Sequence, residues 1–188
     1  MAVELTRVHF SVADLRRIGD AGVLGEDDRV ELIDGELVRM GPVGSVHAAT
    51  VRRLNRLLAA QAGDLLLVDI QNPLQLSDDT EPEPDVVVLR YRADFYESAT
   101  PTVADAYFLI EVADSSLAYD RQAKIPRYAR AGIPEVWLVD LDNRCIERHS
   151  NPTLEGYRDV VAIGSGQALA STVVSGLVLA ADQILASG

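Results

Sequence analysis

Asp85, Glu111 and Lys124 are the residues of this chain whose types and settings could act on a phosphate. An acid in a buried strand is expensive unless it is paired or holds a metal. Glu111 follows five apolar residues in "AYFLIEV" (106–112), so it needs such a reason. Asp85 opens "DVVVLR" (85–90) directly after Pro84, whose missing N–H confines it to a sheet edge or a strand start. If the two strands are neighbours, both carboxylates project from adjacent strand ends towards one point. Two carboxylates, a strand carbonyl and waters suit a hard octahedral cation such as Mg²⁺ or Mn²⁺. A cation so placed polarises a phosphoryl oxygen and lowers the pKa of a bound water.

Lys124 is the only lysine beside 16 arginines. An ammonium is a compact charge whose pKa moves on desolvation, whereas a guanidinium is a planar fork that stays protonated. A lone Lys therefore suggests a site needing a small or titratable cation, and near the acids it would orient the attacking water and balance charge on the phosphate. Asp120, Lys124 and Tyr128 lie four apart on one helical face. The alternative is that Asp120 and Lys124 form an ordinary surface pair worth a few tenths of a kcal/mol. Asp78, Asp79, Glu81 and Glu83 crowd the approach to Asp85 and read as a solvated loop.

The elements that must position these residues are legible in outline. Ser11 reads as the N-cap of a helix through "VADLRRIG". "RVELIDGELVRM" is two apolar runs around Asp34-Gly35, a strong hairpin signal. Val46, Ala49, Val51, Leu54, Leu57 and Leu58 recur at helical spacing, predicting an amphipathic helix over 45–61. Apolar runs at 64–70, 85–90, 106–112 and 135–141 have strand length, and their near-continuous character predicts strands covered on both faces. The helix holding Lys124 lies between the last two, with Pro126 as an expected kink. Asp142-Asn143 reads as a second hairpin turn, and the tail from Ala168 is expected to wrap back on the core. The fold class is α/β: a mixed β-sheet flanked by helices, with an N-terminal β-hairpin.

Length and composition bound the rest. A chain of 188 residues that is 48% hydrophobic reads as one domain over 1–188. No segment approaches the roughly 20 apolar residues of a membrane span, and the charged N-terminus lacks a secretion signal's apolar core. Cys145 is the single cysteine, which agrees with a reducing, cytoplasmic setting. A net charge of −12 argues against a general polyanion binder. Yet Arg52, Arg53 and Arg56 lie in an acid-free helical stretch, as do Arg127 and Arg130 beside Lys124, so a positive cleft for nucleic acid stays admissible.

The stretches "VELIDGELV", "EPDVVV", "FLIEV" and "DRQAKIPRYARAGIPEVWLVD" resemble the Uma-two family of restriction endonucleases, a branch of the PD-(D/E)XK nuclease superfamily. The resemblance implies a restriction-endonuclease-like core and a Mg²⁺ site. Asp85 matches the motif's aspartate and Glu111 its strand acid, and the Val112 carbonyl would complete the protein ligands. The superfamily's E-x-K would place lysine at 113, where this chain has Ala113; the resemblance displaces it to the following helix, at Lys124. Glu31 in "VELIDG" matches a further acidic position, for a second ion or water, and His47 opens the first long helix, where it would touch phosphate or make a helix-start polar contact. These readings favour a Mg²⁺-dependent endonuclease acting on DNA, with a two-strand cut favouring a homodimer. The runner-up is a DNA-associated or regulatory module that keeps the nuclease fold without useful catalysis. A glycosidase built on a carboxylate pair is disfavoured by few aromatics and the nearby lysine.

Overall fold

In a computed structural model, which describes residues 7–25, 28–63 and 65–185, each predicted element forms. Two sequence readings fall outside the described residues: the charged N-terminus at 1–6, and Asp64 at the head of an apolar run. Ser11 caps helix α1 (Val12–Asp20) reciprocally: its Oγ accepts the Asp14 N–H, and the Asp14 carboxylate accepts the Ser11 N–H. Strands β1 (Val30–Ile33) and β2 (Glu36–Arg39) close through Asp34 and Gly35, at φ 49° and 78°. Two successive left-handed residues make the turn whose twist matches a hairpin. Gly35 is also demanded by space, since a Cβ there would stand 2.5 Å from the His9 Cβ.

Helix α2 (Ser45–Ala62) leads into β3 (Leu66–Asp69), β4 (Val86–Arg90) and β5 (Ala106–Ala113). The chain then crosses over helically, through α3 (Leu117–Tyr119), a π-helical turn (Asp120–Lys124) and α4 (Ile125–Ala131), into β6 (Glu135–Asp140). Strands β7 (Cys145–Thr153) and β8 (Gly156–Ile163) complete a six-stranded sheet in sequence order β3 to β8. Among the strands of this sheet only β5 and β6 pair in parallel, the pair that needs the crossover. Pro126, where a kink is expected, stands at the second residue of α4, directly after the π turn. Pro126 has no N–H to offer and its ring would press on the carbonyl four residues back; the wider turn relieves that clash.

Both faces of the sheet are covered, as the continuous apolar runs require. Val86, Val88, Phe108, Ile110 and Trp137 pack under Val51, Leu54 and Leu58 of α2. Val87, Leu89, Leu109 and Leu138 pack under Ile125 and Tyr128. The tail does return to the core: β9 (Ala168–Ala170), β10 (Val178–Ala180) and α5 (Ala181–Leu185) bring Leu169, Leu179, Ile184 and Leu185 onto the α2 face.

Glu135 anchors that tail. Its fully buried carboxylate accepts the Trp137 indole N–H at 2.9 Å and the Thr172 N–H at 2.7 Å. Glu135→Ala should destabilise the fold by about 2–3 kcal/mol, because it strands the buried indole donor. Urea unfolding checks this; a change below about 0.5 kcal/mol would show that the tail holds by apolar contact alone.

Candidate active site

The β4/β5 register brings the two sequence-singled acids together. Val86 pairs with Ile110, so Asp85, one residue before β4, stands opposite Glu111 on the same sheet face. Three donors hold Asp85. Oδ2 accepts the Val112 N–H at 2.9 Å and meets His47 Nε2 at 2.9 Å, while Oδ1 accepts the Gln71 amide at 3.1 Å. Burial would raise the Asp85 pKa, but His47, Val112 and Gln71 together reverse it, and the carboxyl lies below its ordinary value.

Glu111 is 2% exposed, and its Oε1 accepts the Tyr128 hydroxyl at 2.5 Å and lies 3.3 Å from Lys124 Nζ. Burial, against the pull of Lys124 and with the repulsion of Asp85, Asp120 and Glu31, pushes its pKa up to about 8. Lys124 is 3% exposed and donates to Glu31 Oε1 at 2.8 Å. Burial alone would lower the Lys124 pKa; Glu111 and Glu31 overcome that and hold the ammonium above its ordinary value. The surface-pair alternative therefore fails. Asp120 is itself buried, accepts the Ser116 hydroxyl at 2.6 Å, and leaves Lys124 to Glu31 and Glu111.

Glu31, His47, Asp120 and Tyr128 thus join Asp85, Glu111, Val112 and Lys124 in one buried cluster. Lys124 sits on the last residue of the π turn, a distortion found frequently at functional sites. Gln71 is a member that sequence reasoning missed. It leaves β3 at φ 52°, and nothing in "IQNP" signals that its amide faces an acid 14 residues on. Two polar atoms in the cluster, Glu31 Oε2 and His47 Nδ1, and the hydroxyl of Tyr119 beside it are buried without a hydrogen-bond partner.

Two expectations need correction. Glu81 is 7% exposed and Glu83 is half-buried, so the acidic approach to Asp85 is not all solvated. The hairpin causes this: Leu32 and Glu81 exchange backbone hydrogen bonds, and the Glu83 N–H is accepted by Glu31. The two basic segments also do not line one cleft, because α2 and α4 cover opposite sheet faces. Arg52 and Arg56 are exposed, and Arg53 donates to Thr50. Arg127 is tied to Asp34 at 2.5 Å, and Arg130 is exposed.

The buried acids set a pH dependence. Burial raises Glu81, Glu83, Glu111 and Asp120, so the folded chain keeps protons that the unfolded chain releases above about pH 4. The stability they contribute is complete below the unfolded pKa values and lost as pH rises through the folded ones. His149, lowered by burial, works in the opposite sense below 6.5, and Asp85 matters only in stronger acid. Metal-free protein should therefore melt at a lower temperature near pH 8 than near pH 5. Thermal melts in EDTA test this, and a higher melting temperature near pH 8 would contradict it.

A mixed sheet with one parallel pair, a helical crossover and two acids at adjacent strand ends defines the restriction-endonuclease-like class of α/β fold. A family model described as "putative restriction endonuclease" matches residues 13–182, and the chain belongs to that family, Uma2. A solved structure similar to this chain is described as "a putative nuclease belonging to DUF820", from Anabaena variabilis. It is 17% identical, covers 89% of this chain and 96% of its own, and superposes with a TM-score of 0.64, a likeness of fold. No curated protein matches the chain.

Proposed function

We propose that this protein is a divalent-metal-dependent endonuclease that hydrolyses DNA phosphodiester bonds. The observation that carries the reading is the convergence of Asp85, Glu111 and Lys124 in one buried cluster. Four buried carboxylates, Glu31, Asp85, Glu111 and Asp120, gather there with one ammonium and the His47 imidazole. Burial, with that crowding, raises the pKa of Glu111 and Asp120 and leaves Glu31 Oε2 unpartnered, and a divalent cation would relieve the crowding. Among the described residues no three His, Cys, Asp or Glu side chains form a group that could hold an ion. An oxygen donor set of Asp85, Glu111 and the Val112 carbonyl, completed by water, fits Mg²⁺ or Mn²⁺, which use few protein ligands. Bound there, the cation would supply a Lewis acid for a phosphoryl oxygen.

The remaining steps belong to the chain. Lys124, kept protonated by Glu31 and Glu111, acts as a donor that orients the attacking water and balances charge on the phosphate, not as a base. Tyr128 fixes the Glu111 rotamer, while His47 and Gln71 fix that of Asp85. Arg52, Arg56 and Arg130 are exposed cations available to the DNA backbone.

A net charge of −12 favours a second reading, a nuclease fold retained as a DNA-associated module without catalysis. Nicking of supercoiled plasmid in Mg²⁺ or Mn²⁺, abolished by EDTA, supports the endonuclease. DNA binding without nicking in either metal would leave the module.

A further inference from the structure

A cavity of about 690 Å³ lies over β3 and β4, outside the carboxylate cluster but on the same sheet face. Its size is that of a small-molecule site. Its charged lining is Arg16 against Asp69 and Glu97, so it offers no net attraction to a phosphate. Its other groups suit a neutral, planar, hydrogen-bonding ligand: the ring of Phe95, and the amides of Asn72 and Gln75, whose nitrogens also donate to Asp69 and to the Ser77 carbonyl and so are held in place.

Phe95 is not placed there by default. Phe95 and Tyr96 both adopt left-handed backbone, at φ 50° and 63°, which large side chains avoid. The surrounding loop enforces it. Asp94 accepts the Tyr96 N–H at 3.3 Å and the Ser98 hydroxyl at 2.6 Å, and the Tyr96 hydroxyl donates to the Arg90 carbonyl at 2.8 Å. With Tyr96 anchored inwards, Phe95 is left 66% exposed at the cavity, edge-on to the exposed Tyr91 at 5.8 Å.

The cavity is also wired to Asp85. Asn72 lines it, and the preceding residue, Gln71, donates to Asp85 Oδ1. We propose that this cavity takes one unpaired nucleobase of the strand being cut, stacked on Phe95 and read by Asn72 and Gln75. Resting on the endonuclease reading, it names where base preference arises: occupation moves the 69–72 turn, which orients Asp85 through Gln71. Every base has a stacking face, and its neutral edge pairs with amides, whereas its phosphate stays with the cluster next door.

The test uses the full chain with short single-stranded DNA carrying 2-aminopurine at each position in turn, in Ca²⁺. Stacking quenches that base, while anisotropy of an end dye reports total binding. Quenching at one position with the wild type and Phe95→Trp, lost in Phe95→Ala with about tenfold weaker binding, is the expected result. Equal quenching and affinity in Phe95→Ala would overturn the base pocket and leave the endonuclease reading standing. Single-stranded DNA that binds no variant would overturn the base pocket, while plasmid nicking in Mg²⁺ or Mn²⁺ decides the endonuclease reading separately. Phe95 is exposed, so Phe95→Ala should fold, and an unchanged melting temperature verifies it.

Discussion

Glu111→Gln should reduce DNA cleavage at least about 1000-fold while leaving the fold intact. The amide keeps the shape of the side chain, and its oxygen still accepts from Tyr128 and Lys124, so neither buried donor is stranded. What disappears is the ionisable carboxyl that a cation would bind as a carboxylate. Asp85→Asn should act alike, since Oδ2 keeps the Val112 N–H and the Gln71 amide can turn to accept from the new NH₂. Alanine is a poorer probe at either position, because it would empty a hydrogen-bonded site and confuse stability with chemistry. A second readout is independent of cleavage. Millimolar Mg²⁺ should raise the melting temperature of the wild type by mass action and leave that of Glu111→Gln where it was. Metal-induced stabilisation that persists in both variants would place the cation elsewhere, and cleavage that persists would remove these acids from the mechanism.

How much of this was legible beforehand depended on the range of the interaction. Ser11 and Asp34-Gly35 act within a few residues, and the cap and hairpin they predict form as expected. Glu111 stood out because it breaks an apolar strand, and Asp85 because it abuts one directly after a proline, signs that a linear sequence displays. Their partners gave no comparable sign. Lys124 meets Glu31 across 93 residues and Gln71 meets Asp85 through a turn, so only the folded register reveals which groups are satisfied. Glu81 was misread for the same reason: the hairpin that buries it comes from 50 residues earlier. Strand β8 escaped notice because residues 158–162 are all exposed, and a strand wet on both faces carries no alternation.

Lys124 supplies the sharpest separation of structure from chemistry. Lys124→Ala should destabilise the fold by about 3–5 kcal/mol, roughly 6–20 °C in melting temperature, because it leaves Glu31 and the neighbouring acids buried without their cation. That loss alone would silence the protein, so the informative variant is the double one. In Lys124→Met with Glu31→Gln the pair is replaced by neutral groups of similar volume, and the Gln oxygen still accepts the Glu83 N–H. Neutral replacement of a buried ion pair is often neutral or stabilising, so most of the stability should return. Cleavage should not return, since no ammonium remains to orient the water. Lys124→Arg keeps the charge but forces a wider, flat group into a packed site, with an expected loss of about 1–3 kcal/mol and of cleavage alike. The measurement is a cleavage rate under saturating Mn²⁺ beside urea unfolding for all three variants. Activity that recovers with stability in the double variant, or survives in Lys124→Arg, would reduce the lone lysine to a structural counterion for Glu31.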